Sequence, residues 1–163
     1  MRGIAGFVFV AFALGGAAQD YRYAEKVLPE TRFVLDPENA VGESDGRFAG
    51  VELYNGVLEL AVRVKAGEGA DIGVIARRPQ YGQLPETMNY AVLARPDKVE
   101  TWTLLGWGTG KSSPEYFEMG KLESADRVQI VFREVNEIYR LGGIFRTHKE
   151  PYRMDIDAVF ALH

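Results

Sequence analysis

The closing stretch, Met154-Asp155-Ile156-Asp157-Ala158-Val159-Phe160-Ala161-Leu162, narrows the folds open to this chain more than any other segment. Ile156, Ala158, Phe160 and Leu162 fall on one side of it, Asp155 and Asp157 on the other. A two-residue period is that of a strand with one buried face. A strand this apolar is a hazard at a free sheet edge, where unpaired N–H and C=O groups would template aggregation. The segment is therefore expected in the middle of a sheet, closing a β-domain, with its two carboxylates where it emerges from a loop.

The rest of the chain keeps the same period. Alternation predicts strands over Arg47–Tyr54, Val57–Lys65, Asp71–Arg77, Asn89–Arg95, Val99–Leu105 and Arg127–Glu134, with a short one at Tyr116–Met119. Tyr21–Val27 and Phe33–Leu35 are candidate first strands in a lead-in over residues 19–35. Asn55-Gly56 is the strongest hairpin signal. Loops are expected at 36–46, 78–88 and 106–114, where Gly, Pro, Asp, Asn and Ser gather. No segment repeats apolar residues at the helical period over three turns. Many short strands with regular turn signals point to an all-β antiparallel sandwich spanning residues 36–163.

Residues 1–18 read differently. Arg2 supplies a positive start, Ile4–Leu14 is an apolar run, and Gly15-Gly16-Ala17-Ala18 gives small residues before Gln19-Asp20. This is the layout of a secretory signal peptide cut after Ala18, and the run is shorter than the roughly 20 residues a membrane span needs. The expected destination is secreted, periplasmic or cell-surface, with no transmembrane segment after cleavage. The full sequence has a net charge of −4, so no basic footprint for nucleic acid is present. It has no cysteine, which removes thiol catalysis and Cys-ligated zinc.

Several pieces in order carry a resemblance. Asn39-Ala40-Val41-Gly42-Glu43-Ser44-Asp45-Gly46 opens the domain. Gly56-Val57-Leu58-Glu59-Leu60, Asp71-Ile72-Gly73-Val74 and Tyr90-Ala91-Val92-Leu93-Ala94-Arg95-Pro96-Asp97 follow. Trp102-Thr103-Leu104-Leu105-Gly106 and Met154-Asp155-Ile156-Asp157-Ala158-Val159 complete the series. Together they resemble the galactose-binding-like jelly-roll superfamily, which includes discoidin and coagulation-factor type C modules, in its bacterial secreted form. The resemblance spans residues 36–162 and implies a jelly-roll β-sandwich that binds carbohydrate usually through loops at one end and occasionally on its concave face. It also implies a structural calcium where the opening loop meets the last strand, with Asp45 and Asp157 as carboxylate ligands and the Asn39 region supplying carbonyls. Trp102 matches the family's core tryptophan.

Sugar rings stack on aromatic faces while charged and amide groups bond their hydroxyls. The candidates are Tyr81, Trp107, Tyr116, Arg146 and Tyr152, and Trp107 stands out because it follows Gly106 in an expected Gly-rich loop. No Gly-x-Ser-x-Gly elbow is present, and the two histidines are His148 and the terminal His163. Arg146, His148 and Tyr152 share one segment, a set used in lyase acid/base chemistry, without forming a motif. The expected function is non-catalytic recognition of a glycan or cell-surface component. The alternatives are an envelope assembly protein and a small carbohydrate-active enzyme. The oligomeric state is left open.

Overall fold

The structure is a computed structural model that describes residues 20–65, 70–78, 88–134 and 152–162. In chain order the strands are β1 (Tyr21–Tyr23), β2 (Lys26–Val27), β3 (Val34–Leu35), β4 (Ala49–Glu52), β5 (Val57–Lys65), β6 (Asp71–Arg77), β7 (Met88–Arg95), β8 (Thr103–Gly108), β9 (Lys111–Glu118), β10 (Ser124–Glu134) and β11 (Arg153–Leu162). A single 3-10 turn, Pro37–Ala40, precedes β4 among the described residues.

The strands form two antiparallel sheets. The first has the order β3-β4-β11-β6-β9, and the second β2-β5-β10-β7-β8. In the first sheet β11 is central, as its composition demands. β6 runs along one edge of it, while β4 and then β1 take the other. Residues 21–35, expected as a lead-in, contribute short strands to both sheets. The core lies between the layers. Val51, Ile72, Val74, Met154, Ile156 and Val159 meet Leu58, Leu60, Val62, Tyr90, Val92, Ile130 and Phe132.

Four expectations change. The faces of β11 are not continuous. Its register against β6 shifts between Ile156 and Ala158, leaving Asp157 as the extra residue of a bulge. Past that point Val159 and Ala161 point into the core, and Ala158, Phe160 and Leu162 face outward. A bulge inserts one residue, and one residue reverses every later side chain.

The expected loop over 106–114 is mostly strand. β8 continues to Gly108, Thr109-Gly110 is the whole connection, and β9 starts at Lys111. Gly108 is a landing site rather than a break, since a Cβ there would lie 2.0 Å from Tyr90 Cζ. Trp107 therefore sits on a strand.

Trp102 is not in the core. β8 starts only at Thr103, so Trp102 lies half-buried just outside the sandwich, with the Arg95 guanidinium 4.8 Å from its ring centroid. Asn55-Gly56 makes no hairpin within a sheet. It carries the chain from β4 in one sheet to β5 in the other, closed by the Gly56 N–H donating to Glu52 C=O at 2.8 Å.

Candidate functional site

Of the expected ligand residues, the three that are described (Trp107, Tyr116 and Tyr152) stand apart from one another. Tyr81, Arg146, His148 and His163 lie outside the described residues. The stretches holding the first three, 79–87 and 135–151, join strands whose described ends share a rim of the sandwich. Arg77 pairs with Asp155 there, and Glu134 with Met88. Tyr152, just before β11, is half-buried and packs against the main core. Trp107 and Tyr116 stand on opposite outer faces, one on each sheet.

The structure does bring rings together around Tyr116. Register alone builds a row across four strands, Tyr23, Phe160, Gly73 and Tyr116, all on the outer face of the first sheet. The Phe160 ring lies over Gly73, where a Cβ would meet it at 2.3 Å. It is 3% exposed although it points away from the core. Tyrosines cover it. Tyr21 meets its ring at 5.5 Å and 66°, Tyr23 at 5.6 Å and 54°, and Tyr116 at 6.2 Å and 80°. These are the tilted and edge-on contacts that ring quadrupoles favour. Tyr21 remains 42% exposed and Tyr116 49%.

One row along stand Tyr21, Leu162, Asp71 and Glu118. In the other direction come Ala158, Ile75 and Pro114, and beyond them Asp155, Arg77 and Lys111. Arg77 donates to Asp155 at 2.8 Å and lies 4.0 Å from the Phe48 ring centroid. The platform is thus aromatic, with carboxylates close on one side and cations farther off on the other. Of its members only Tyr116 was singled out in the sequence. The Tyr21-x-Tyr23 alternation was the available signal, but it gains meaning only from its pairing with β11.

The other outer face is organised differently. Val57, Val131, Ala91 and Trp107 form its cross-strand row, a small apolar cluster with Leu93. Next to it Arg127 gathers three acids, donating to Asp97 at 2.6 Å, Glu59 at 3.2 Å and Glu30 at 3.3 Å. The hydrogen bond to Asp97, with that to Glu59, holds the guanidinium pKa above its ordinary value, and the same contact lowers that of Asp97.

Between the sheets lies a polar tie. The Tyr90 hydroxyl (β7) donates to Glu115 Oε2 (β9) at 2.5 Å, and the Gly110 N–H adds a second bond at 3.0 Å. Thr109 donates to Oε1 from its N–H and its hydroxyl, both at 2.8 Å. Burial pushes the Glu115 pKa up, but the bonds from Tyr90, Thr109 and Gly110 outweigh it and leave the carboxyl below its ordinary value. Burial, then the bond to Glu115, drives the Tyr90 phenol far above its own. A carboxylate this fully occupied positions a turn.

The residues expected to hold calcium are engaged with partners in the chain. Calcium takes six to eight oxygens with lone pairs turned inward. Here the Asp157 carboxylate accepts the Ser44 hydroxyl at 2.6 Å and the N–H groups of Asp45 and Gly46 at 3.2 and 3.3 Å. Asp45 instead accepts the Arg47 N–H at 2.9 Å and its Nε at 2.7 Å, and these contacts lower its pKa. Asn39 spends its amide N–H on Phe48 C=O at 3.1 Å. Among the described residues no group of three or more His, Cys, Asp or Glu could hold a metal.

No family model and no curated protein matches the sequence. Solved structures do match. The carbohydrate-binding module CBM32 of AlyQ, solved in complex with 4,5-unsaturated mannuronic acid, aligns over 87% of this chain and 98% of its own, at 13% identity and a TM-score of 0.53. This chain has the galactose-binding-like jelly-roll fold. CBM32-1 of a family 31 glycoside hydrolase from Clostridium perfringens aligns over 90% of this chain and 95% of its own, at 8% identity and a TM-score of 0.49. In this sandwich the tyrosine row occupies a sheet face, not the loops at one end.

Proposed function

We propose that this chain is an exported, non-catalytic glycan-binding module whose contact surface is the tyrosine face of the first sheet. One observation carries the reading. Tyr21 and Tyr116 are half-exposed around a Phe160 ring that is itself locked over Gly73. Rings held on paired strands lose little freedom on binding, and they offer an apolar surface with a polar tip to a sugar's C–H face and its hydroxyls. The fold is that of a module whose CBM32 example was solved with a uronic acid derivative, and the sequence of residues 1–18 has the form of an export signal. Here Asp71 and Glu118 stand beside the rings and disfavour an anionic sugar, so the ligand is an uncharged pyranoside.

The test is a glycan array on the purified protein, followed by titration of any hit against Tyr116→Ala and Trp107→Ala. Loss of about tenfold in affinity for Tyr116→Ala, or about 1.4 kcal/mol, with Trp107→Ala unchanged, is the expected result. The reverse pattern would move the site to the second sheet. If neither variant loses affinity, the contact lies on neither outer face and the reading fails.

A further inference from the structure

The disagreement between the expected calcium site and the residues found there has its own consequence. We infer that this chain dispenses with the ion, and that a cradle of protein hydrogen-bond donors around Asp157 ties the opening loop to the closing strand in its place. The inference is independent of what the tyrosine face binds.

The bulge at Asp157 comes first. As the extra residue between Ile156 and Ala158, it leaves the ladder with β6, and its carboxylate meets the loop over residues 44–46. It is 5% exposed, one of two buried charged residues among those described. A buried carboxylate without partners is strongly unfavourable, so whatever satisfies it decides whether the loop stays down.

The loop supplies donors to both of its oxygens. Oδ2 accepts the Ser44 hydroxyl at 2.6 Å, and Oδ1 accepts the consecutive N–H groups of Asp45 and Gly46. Gly46 has a φ of +77°, a backbone state glycine adopts without strain. Successive N–H groups converging on one anion form a nest, the electrostatic opposite of a cation site. A cation at Asp157 would have to share the carboxylate with all three donors, only Oδ2 keeping a lone pair to spare.

The second carboxylate argues the same way. Asp45 is clamped by the Arg47 guanidinium, Nη2 lying 2.5 Å and Nε 2.7 Å from its Oδ2. That position already has its cation. An ion beside it would compete with that guanidinium, although the pair is exposed and weak. Asn39 anchors the other end of the loop by its bond to Phe48 C=O, on the residue just before β4. The opening loop is therefore held at both ends by bonds within the chain.

The experiment is thermal melting of the full protein in millimolar calcium and in EDTA, with isothermal titration of calcium alone. Superimposed melting curves and no titration heat are expected for the unaltered protein. Ser44→Ala should lower Tm by about 3–6 °C in both buffers, since it removes a bond to a charged group and leaves Asp157 short of a donor. Asp45→Asn, which weakens only the exposed Arg47 clamp, should change Tm by about 1 °C or less. A calcium-dependent rise in Tm that Asp45→Asn abolishes would overturn the inference. A Ser44→Ala variant as stable as the parent would also overturn it, by showing that the cradle holds nothing.

Discussion

On the outer face of the second sheet, Arg127 ties Glu59, Asp97 and Glu30 into one ionic group beside the apolar row that ends at Trp107. On the outer face of the first, Phe160 is roofed by Tyr21, Tyr23 and Tyr116 with no ion pair in the row. Both faces arise from the same alternation on antiparallel strands, yet they spend their side chains differently. One draws three of its acids onto a single guanidinium. The other leaves rings half-exposed on a rigid base. The proposed function rests on this contrast, with the ionic face contributing stability and the tyrosine face offered for recognition.

The sharpest way to break this contrast is Arg127→Met. Glu59 is 2% exposed, and removing its guanidinium partner leaves a buried charge with only a weak contact to Gln129 at 3.5 Å. Loss of one partner from a buried pair costs about 3 kcal/mol or more. In a domain of this size that lowers Tm by about 6–12 °C. Glycan affinity measured below the melting range should not change. A fall in affinity equal to that of Tyr116→Ala would mean that the two faces act together.

Gly73→Ala probes the first face with a smaller cost. The new methyl would stand 2.3 Å from Phe160 Cε2 and Cζ, so the ring must lift or rotate. Overpacking of this kind costs about 1–3 kcal/mol. The tyrosine roof moves with the ring, so binding should weaken along with Tm. A melting shift without an affinity change would show that Phe160 is packing alone and that the platform does not depend on it.

Acid should act between the faces. Glu115 has its folded pKa depressed below 4.5, so the stability it contributes is complete above that value and is lost as pH falls through the lower folded pKa. Tyr90→Phe removes the 2.5 Å donor, raises the folded pKa toward the ordinary value and shrinks this contribution. Melting curves taken from neutral pH down to acid should therefore show a shallower acid loss in Tyr90→Phe than in the parent. Equal slopes would place the acid sensitivity elsewhere.

Legibility in the sequence follows the range of each interaction. β5 and β6 could be read to the residue, because their alternation is local and uninterrupted. The centrality of β11 followed from composition alone. Its faces did not, since the bulge at Asp157 exists only relative to β6. Gly108 carried the opposite lesson. Glycine reads as a breaker, yet this one lies within β8 against the ring of Tyr90, contributed by a neighbouring strand. The tyrosine row was hidden for the same reason, being assembled from residues 23, 160, 73 and 116 by pairing alone.

The smallest expected effect on stability is the one that isolates recognition. Tyr116 is 49% exposed and touches Phe160 only edge-on, so Tyr116→Ala should change stability by about 0.5 kcal/mol or less. Its neighbour Phe117 points into the core from the same strand, and Phe117→Ala should cost about 3 kcal/mol. Two adjacent aromatics on β9 thus separate the two proposed roles, one in the core and one on the tyrosine face. Paired denaturation and glycan-titration curves for the two variants decide the matter. If Tyr116→Ala melts as early as Phe117→Ala, the tyrosines are a second core turned outward, and the first face is no freer than the second.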